Sequence, residues 1–199
     1  MVNNKAAKIT NYFKITQNKP PSLWLVEAVK LLKQTGNALD LGCGAGSDTK
    51  FLLEKGFKVT AVDINPETEK YIKKLLHQKN LNFVVSSFEN FEFPKKEYDL
   101  INAFFSLPFT NRDVFDEVFI KIKKSLKPEG IFVGQLFGVN DDWAKLPTAK
   151  TTFHTKKEAK QLFKDWKLIR FVEQDRDGTL ADGTPKHWHS FHIMAEIKG

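Results

Sequence analysis

The feature that most constrains this chain is a glycine-rich turn that joins an apolar strand to a helix. Segment 37–47 reads NALDLGCGAGS. Because glycine lacks a Cβ, Gly42, Gly44 and Gly46 allow a sharp turn and let a ligand lie directly against the main chain. A second apolar strand follows and ends at Asp63, whose carboxylate can accept both hydroxyls of a ribose. The pattern therefore predicts a cradle for a nucleotide-containing cofactor.

Two classes of cofactor use such a turn, and two residues bear on the choice between them. The dinucleotide pattern G-x-G-x-x-G requires glycine at its sixth position, where this chain has Ser47. Asp40 lies just before the first glycine of the turn, and a carboxylate there favours a cationic ligand over a pyrophosphate. A cofactor with a sulfonium or amino group is therefore favoured, and a nicotinamide-dependent dehydrogenase is the less favoured alternative.

The order Asp-x-Gly-x-Gly-x-Gly, from Asp40 to Gly46, resembles the first motif of the class I S-adenosylmethionine-dependent methyltransferases. Segment 126–130, LKPEG, also matches that family, so the resemblance covers residues 37–137. It implies S-adenosylmethionine as the cofactor. It also implies an α/β, doubly wound sheet of seven mostly parallel strands in the order 3-2-1-4-5-7-6, with the last strand antiparallel and helices on both faces.

Three shorter segments are most similar to small-molecule members of that family, the tellurite-resistance and thiopurine methyltransferases. They are Pro20-Pro21, segment 138–143 and segment 186–189. The resemblance implies that the methyl acceptor is a small molecule.

Length and composition are those of one domain that folds without disulfides. The chain has 199 residues, 41% of them hydrophobic, which is enough to bury a continuous core. We expect residues 1–21 to form an arm that closes as a lid or packs loosely on the surface, and residues 22–199 to form a single Rossmann-like domain. The one cysteine, Cys43, excludes an internal disulfide. Since no segment is typical of a signal peptide or a membrane span, we expect a cytoplasmic monomer or homodimer with no membrane partner.

Apolar periodicity predicts alternating strands and helices along the chain. Strands are expected at 37–41, 58–63, 82–86, 98–104, 131–136, 167–174 and 188–197, and helices at 22–34, 47–55, 66–78, 112–124 and 155–163. Asp177-Gly178 and Asp182-Gly183 predict tight turns between the last two strands, which then pair antiparallel.

The resemblance implies that the cofactor binds at the carboxyl ends of the first strands. Ser87 stands where the family often has an acid that contacts the adenine amine, and Phe88 is expected to face the adenine. The expected cofactor-binding residues are Asp40, Gly42, Cys43, Gly44, Gly46, Asp63, Ile64, Ser87, Phe88 and Phe104.

The methyl acceptor is expected at the loops after the fourth and fifth strands, because ligands of open α/β sheets bind at the carboxyl ends of the strands. The expected substrate-pocket residues, most of them aromatic, are Tyr12, Phe105, Phe109, Trp143 and His187. Transfer of a methyl group from a sulfonium is an in-line displacement that depends mainly on alignment and on exclusion of water. A general base is therefore not required, and the candidates for one are Asp141, His187 and His189.

Two other functions stay open, and a metal site is not expected. The net charge of +7 favours an RNA methyltransferase, but the lysines are spread over predicted helix faces. Segment 102–105, NAFF, also lacks the prolines that grip a flipped base, so we do not expect a nucleic-acid partner. A non-catalytic module that binds the same cofactor is the third interpretation. His187 and His189 share a strand face but have no third ligand nearby in sequence.

Overall fold

One mixed sheet with helices on both faces forms the centre of the structure. The computed structural model describes residues 11–146 and 150–198. Its strands are β1 (Asn37–Leu41), β2 (Lys58–Asp63), β3 (Leu81–Val85), β4 (Tyr98–Ala103), β5 (Leu126–Gly138), β6 (Phe153–His154), β7 (Trp166–Thr179) and β8 (Pro185–Ile197). Its helices are α1 (11–16), α2 (Leu23–Leu31), α3 (Ser47–Glu54), α4 (Thr68–Ile72), α5 (Arg112–Ser125) and α6 (Lys156–Leu162). No helix in these two ranges combines the length and the hydropathy that crossing a bilayer requires.

The strands lie in the order β3-β2-β1-β4-β5-β8-β7, and β6 pairs with β5 beside this path. β1 to β5 pair in parallel, whereas β8 runs antiparallel to both β5 and β7. With β6 set aside, this is the predicted order, so the expectation of a doubly wound α/β sheet is confirmed. The predicted count of seven strands is wrong, because β6 has only 2 residues and is too short to leave a periodic signal.

Apolar side chains cover both faces of the sheet, as expected for parallel strands that lie between helices. On one face, Leu100 of β4 packs in the same cluster as Leu25 of α2, and we call this the α2 face. Its neighbour Ile101 points to the opposite face, where it packs in the same cluster as Phe119 of α5. Side chains at alternate positions of β4, β5 and β8 therefore share the α2 face.

Two predicted boundaries differ from the structure. α4 ends at Ile72, although the periodicity predicted a helix over 66–78. The chain continues in tight turns, in which Leu75 N donates to Ile72 O at 2.7 Å and Gln78 N donates to Leu75 O at 2.9 Å. β5 begins at Leu126 rather than at residue 131, because Leu126 pairs with Tyr98 of β4.

The hairpin between β7 and β8 is longer than predicted. Gly178 pairs with Lys186 inside the ladder, so Asp177-Gly178 is strand and not a turn. The turn lies at Gly183, which has φ +87° and donates its N–H to Leu180 O at 3.0 Å. Only the second of the two predicted Asp-Gly turns is therefore present.

His154 of β6 is a buried polar residue that should weaken the fold in acid. Its side chain is 2% exposed and neither ring nitrogen has a hydrogen-bond partner. Burial, aided by Arg112, lowers the pKa of His154 to about 4 from an ordinary value of 6.5. The unfolded chain therefore binds a proton that the folded chain does not bind between these two pKa values. Protonation of His154 thus does not lower the free energy of unfolding above pH 6.5. On acidification below that pH it lowers the free energy of unfolding, by on the order of 3 kcal/mol in total.

We expect His154→Leu to raise the free energy of unfolding at pH 7 by about 1 kcal/mol, because it removes a buried unpaired N–H. The variant should also lose less stability than the parent between pH 6.5 and pH 4. Urea denaturation at several pH values measures both effects, with His77→Leu at an exposed histidine as the control. An unchanged dependence of stability on pH would contradict this account of His154.

Candidate active site

The three glycines of the turn after β1 are needed for two different reasons. Gly42, Gly44 and Gly46 have φ of +74°, +51° and +82°, in the left-handed region that favours glycine. A Cβ at Gly42 would collide with Ser106, and a Cβ at Gly46 would lie 2.5 Å from Ile72 Cγ2. At Gly44 the nearest atom would be Phe13 Cε1 at 3.7 Å. Gly42 and Gly46 therefore serve the packing of the fold, and Gly44 leaves open space against the backbone.

Asp63 connects this turn to the end of β2. Its Oδ2 accepts a hydrogen bond from Gly44 N at 2.8 Å, and its Oδ1 accepts one from Asn65 N at 2.9 Å. The side chain is 8% exposed, and burial raises the pKa of its carboxyl. The carboxylate is thus held in one orientation beside the open space at Gly44.

Two further carboxylates, those of Asp40 and Asp48, are bridged by one amide. Asn102 Nδ2 donates to Asp40 Oδ1 at 2.8 Å and to Asp48 Oδ2 at 2.9 Å. Asp40 Oδ2 also accepts from Thr49 Oγ1 at 2.6 Å, and Asp48 Oδ1 accepts from Ser22 N at 2.8 Å. β1, α3 and β4 therefore bring two acids to one point on the α2 face.

These acids concentrate negative charge at a buried position. Burial, with the neighbouring Asp48 charge, raises the pKa of Asp40 to about 7, and burial also raises the pKa of Asp48. Neither of them, nor Asp63, takes part in an ion pair within the described ranges. Asn102 Oδ1 is buried without a hydrogen-bond partner. Residues arranged in this way fit a cofactor that brings positive charge and hydrogen-bond donors.

The helix α1 lies over the glycine turn. Phe13 is 4% exposed and packs edge-on against Tyr71, with 5.0 Å between ring centroids. Ser47 Oγ donates to Thr16 O at 3.3 Å, which joins α1 to the start of α3. Partial burial and the carboxylates of Asp63 and Asp48 raise the pKa of Tyr12, so this residue lies on the acidic side of the site. Residues 1–10 of the predicted arm lie outside the described residues.

The other residues expected to bind the cofactor occupy different surroundings. Ile64 is 70% exposed at the end of β2, and Phe104 lies on the α2 face beside Trp24, with 6.1 Å between ring centroids. Cys43 is buried in the core, and burial raises the pKa of its thiol, so it packs as a small apolar group. Phe88 packs, partly buried, against the core of the α5 side. Ser87 follows Ser86, whose Oγ donates to the Ser87 carbonyl at 2.9 Å.

Aromatic side chains from three segments line the neighbouring part of the site. Phe105 and Phe109 are 49% and 51% exposed. The ring centroid of Phe105 lies 6.2 Å from that of Trp188, and the ring centroid of Phe109 lies 5.8 Å from that of Trp143. The ring centroids of the two tryptophans are 5.5 Å apart, so the four rings form a continuous row. Phe105, Phe109 and Trp143 are therefore brought together, with Trp188 as an unpredicted member.

Asp141, a candidate base, is fully engaged in the structure. Its Oδ1 accepts hydrogen bonds from Lys186 Nζ and from Trp143 N, and its Oδ2 accepts one from His189 N at 3.2 Å. The residue is 0% exposed. Its carboxylate holds the loop after β5 to β8, and because it is fully buried, neither oxygen is open to an acceptor molecule.

The two candidate histidines lie away from the row of aromatic rings. The imidazole of His187 contacts Asp177 Oδ1 and Asp175 Oδ1 at 2.7 Å each, and these bonds raise its pKa. His189 Nδ1 accepts from Asn140 N at 3.0 Å, so its Nε2 carries the proton and donates to Glu173. Both side chains lie on the face of β8 opposite Trp188. Their contacts are those of residues that hold the hairpin together.

Known proteins are similar to this chain in both sequence and fold. A methyltransferase domain model matches residues 38–130. Malonyl-[acyl-carrier protein] O-methyltransferase 2 of Ilyobacter polytropus is 28% identical over 166 residues, covering 81% of this chain and 62% of that protein. The probable S-adenosyl-L-methionine-dependent methyltransferase TehB of Haemophilus influenzae is 25% identical over 151 residues, covering 75% of this chain and 52% of that protein. The chain thus spans about half to two thirds of the length of these relatives.

Solved structures agree with the sequence comparison. TehB from Haemophilus influenzae superposes with a TM-score of 0.72 at 21% identity, over 87% of this chain and 61% of that one. The 1,6-didemethyltoxoflavin-N1-methyltransferase of Burkholderia thailandensis, with S-adenosylhomocysteine bound, superposes with a TM-score of 0.63 at 19% identity, over 89% and 79%. The chain thus has a match to a methyltransferase domain at residues 38–130 and the fold of the class I S-adenosylmethionine-dependent methyltransferases. Its cofactor is S-adenosylmethionine, and the glycine turn and the buried acids fit that cofactor.

Several polar residues near the acids and the aromatic row are not among those that the sequence predicted. Asp48 and Asn102 complete the buried acidic cluster, and Gln135 and His192 form a polar pair across β5 and β8. Gln135 interrupts an otherwise apolar strand, which is a usable signal. Within 11–146 and 150–198, no three His, Cys, Asp or Glu side chains converge as a metal ion would need.

Proposed function

We propose that this methyltransferase transfers the methyl group of S-adenosylmethionine to a small-molecule acceptor by in-line displacement. The single observation that carries the proposal is a set of three carboxylates that pair with no cation within the described ranges, the buried Asp40 and Asp63 and the half-buried Asp48, beside the open backbone of Gly44. A bound cofactor supplies a methyl group on a positively charged sulfur. The acids of the chain favour that charge, and their fixed hydrogen bonds hold them in place before binding.

Each end of the cofactor site has a distinct role in the proposal. Asp63, which Gly44 N and Asn65 N already orient, accepts the ribose hydroxyls. Asp40 and Asp48 face the amino and sulfonium end, and Asn102 keeps them together. Among the other expected contacts, Ile64, Ser87 and Phe88 belong to the adenine end, and Phe104 lies where the cofactor side meets the acceptor side.

We assign α1 the role of a lid over this site. Phe13 covers Gly44, and Thr16 contacts Ser47 at the start of α3. A cover of this kind excludes water from the reacting groups and strengthens the electrostatic interactions beneath it. Tyr12 then belongs to the cofactor side of the lid rather than to the acceptor pocket.

The acceptor lies against the row formed by Phe105, Trp188, Trp143 and Phe109 on the other side of Phe104. These rings provide apolar walls and exclude water. The relatives differ in the atom that their names give as methylated, oxygen in the malonyl-[acyl-carrier protein] enzyme and nitrogen in the toxoflavin enzyme. The family alone therefore leaves the acceptor atom open.

Calorimetry with S-adenosylmethionine across pH 6 to 8 tests the cofactor site. Because the pKa of Asp40 is raised to about 7, its carboxylate ionises over this range and attracts the sulfonium more strongly at higher pH. We expect the affinity to rise by up to about tenfold with proton release, since the ionised fraction of a group with a pKa of about 7 rises about tenfold between pH 6 and pH 8. Asp40→Asn should remove most of that pH dependence.

Calorimetry and a transfer assay together distinguish the proposal from its alternatives. Absence of binding at millimolar cofactor, or binding of a nicotinamide dinucleotide instead, would overturn the methyltransferase proposal. Mass spectrometry of metabolite extracts incubated with enzyme and cofactor should show a gain of one methyl group on a small molecule. Cofactor binding without transfer to small molecules or RNA would favour the non-catalytic module, and transfer only to RNA would favour the RNA methyltransferase.

A further inference from the structure

Beyond Phe104, the α2 face carries a group of buried polar side chains that the cofactor site does not use. Gln135 of β5 is 1% exposed, and its register partner His192 of β8 is 8% exposed. Ser190, two residues before His192 on the same face, is 1% exposed. We call these three residues the polar wall. Buried polar groups on two central strands need a reason, because each costs stability unless it is hydrogen-bonded.

The hydrogen bonds within the polar wall leave two groups unpaired. His192 Nε2 lies 3.1 Å from Gln135 Nε2 and 3.2 Å from Ser190 Oγ. The amide nitrogen of Gln135 can only donate, so His192 Nε2 accepts and the ring proton lies on Nδ1. His192 Nδ1 and Gln135 Oε1 are both buried without a partner. The wall therefore presents one unused donor and one unused acceptor.

The charges around the polar wall are opposite in sign to those at the cofactor. Arg170 and Arg176 lie on β7, paired with Met194 and Trp188 of β8. Burial and these two arginines lower the pKa of His192 to about 4, so its ring is neutral at pH 7. Arg170 Nη1 pairs with Glu27 Oε2 at 2.7 Å, so among the described residues Arg176 provides the unpaired positive charge of the two. A neutral N–H donor under this influence favours an anion and disfavours a cationic amine.

The position of the polar wall relates it to the cofactor end. The ring centroid of His192 lies 5.3 Å from that of Phe104 and 5.5 Å from that of Trp24. Phe104 lies two positions after Asn102, just beyond the end of β4, and Asn102 binds both Asp40 and Asp48. The unpaired donor therefore lies beside a ring that follows the acidic cluster closely along the chain.

We infer that the polar wall recognises the methyl acceptor, and that the acceptor is a small carboxylate held by the Nδ1–H of His192. The inference rests on the proposed function and names the substrate class of that site. One carboxylate oxygen accepts from His192, and the other forms a bond to the methyl carbon while the carbon–sulfur bond breaks. The electron pair of that bond remains on sulfur, so an anion and a sulfonium give a neutral methyl ester and a neutral thioether. No proton moves, which agrees with the engagement of both oxygens of Asp141.

Transfer assays with matched acceptors test the substrate class. Benzoate, benzamide and benzylamine share a ring that suits the aromatic walls and differ in charge, and succinate is an aliphatic carboxylate. With methyl-labelled S-adenosylmethionine we expect a base-labile ester from benzoate or succinate, and no product from benzamide or benzylamine. Transfer to benzylamine alone, or no transfer to either carboxylate by enzyme that binds the cofactor, overturns the inference. Calorimetry with S-adenosylmethionine distinguishes the two failures. If the proposed function is wrong, the protein does not bind the cofactor, whereas if only this inference is wrong, the cofactor still binds.

Variants of the polar wall test its residues. His192→Phe keeps a ring against Trp24 and Phe104 but removes the donor. We expect kcat/KM for the methylated carboxylate to fall about 10- to 100-fold through KM, the range for a hydrogen bond to a charged group. Binding of that carboxylate to the S-adenosylhomocysteine complex should weaken in parallel, whereas affinity for S-adenosylmethionine should not change.

Further variants separate recognition from a structural role. His192→Gln restores an N–H donor and should recover part of the loss. Gln135→Leu removes the partner that fixes the ring proton on Nδ1, and should raise KM in the same way if His192→Phe does not fold. His77→Phe at an exposed histidine is the control and should leave kinetics unchanged. A lower melting temperature with unchanged KM in the folded polar-wall variants would overturn the assignment.

Discussion

Replacing Lys186 with methionine is expected to lower the free energy of unfolding by about 3–5 kcal/mol, the usual cost of breaking a buried ion pair. Lys186 and Asp141 are 5% and 0% exposed, and they form an ion pair. Lys186 Nζ also donates to His187 O at 3.0 Å and lies 3.8 Å from the ring centroid of Trp188. Without the ammonium group, the carboxylate of Asp141 is left buried and uncompensated.

Chemical denaturation of Lys186→Met, Asp141→Asn and the double variant measures this effect. The double variant should recover most of the loss, because it leaves no buried charge without a partner. Lys33→Met removes the exposed ion pair between Lys33 and Glu129 and should change stability little. A Lys186→Met variant as stable as the parent would show that the buried pair does not hold the loop after β5 to β8.

Substituting Asp63 with alanine is expected to weaken binding of S-adenosylmethionine by about 10- to 100-fold, from the loss of hydrogen bonds to a charged acceptor. S-Adenosylhomocysteine should be affected to the same degree, because both ligands carry the ribose that we assign to Asp63. Calorimetry at pH 8 is suitable, since burial raises the pKa of the Asp63 carboxyl and the residue must be ionised.

The matched control for Asp63→Ala is Asp116→Ala, at an exposed acid that pairs with Arg112 on α5. That variant should bind both ligands as the parent does. A small change for Asp63→Ala, with the fold intact by circular dichroism, would contradict the assignment of this carboxylate to the ribose. A selective loss of the sulfonium ligand would instead assign Asp63 to the other end of the cofactor.

The contact between the glycine turn and Asp63 is predictable from the sequence because these parts are close along the chain. Gly42, Gly44 and Asp63 lie within one strand-turn-helix-strand unit, and the glycines are required by positive φ values that a sequence pattern reports directly. The sheet order follows from the same alternation of strands and helices. The end of α4 was not predictable, since Leu75 and Leu76 continue the helical spacing although the backbone has already changed to tight turns.

The polar wall could not be predicted because its residues meet only through strand register. Gln135 and His192 are 57 positions apart and become neighbours when β8 pairs antiparallel with β5. The sequence pattern predicted Asp141 and His189 as candidate bases, because they are polar and lie near the end of β5 and in β8. In the structure their polar atoms are used within the protein, so a polar side chain near a predicted site was a weaker signal than an unpaired one.

The insertion of β8 between β5 and β7 has a consequence for how the chain reaches its folded state. β5 is a buried strand, and the neighbour that covers one of its edges is synthesised about fifty residues later. Until β8 arrives, that edge offers unpaired backbone groups to any other extended chain. During synthesis, protection from aggregation must therefore come from outside the molecule, or from rapid capture of the hairpin once it emerges.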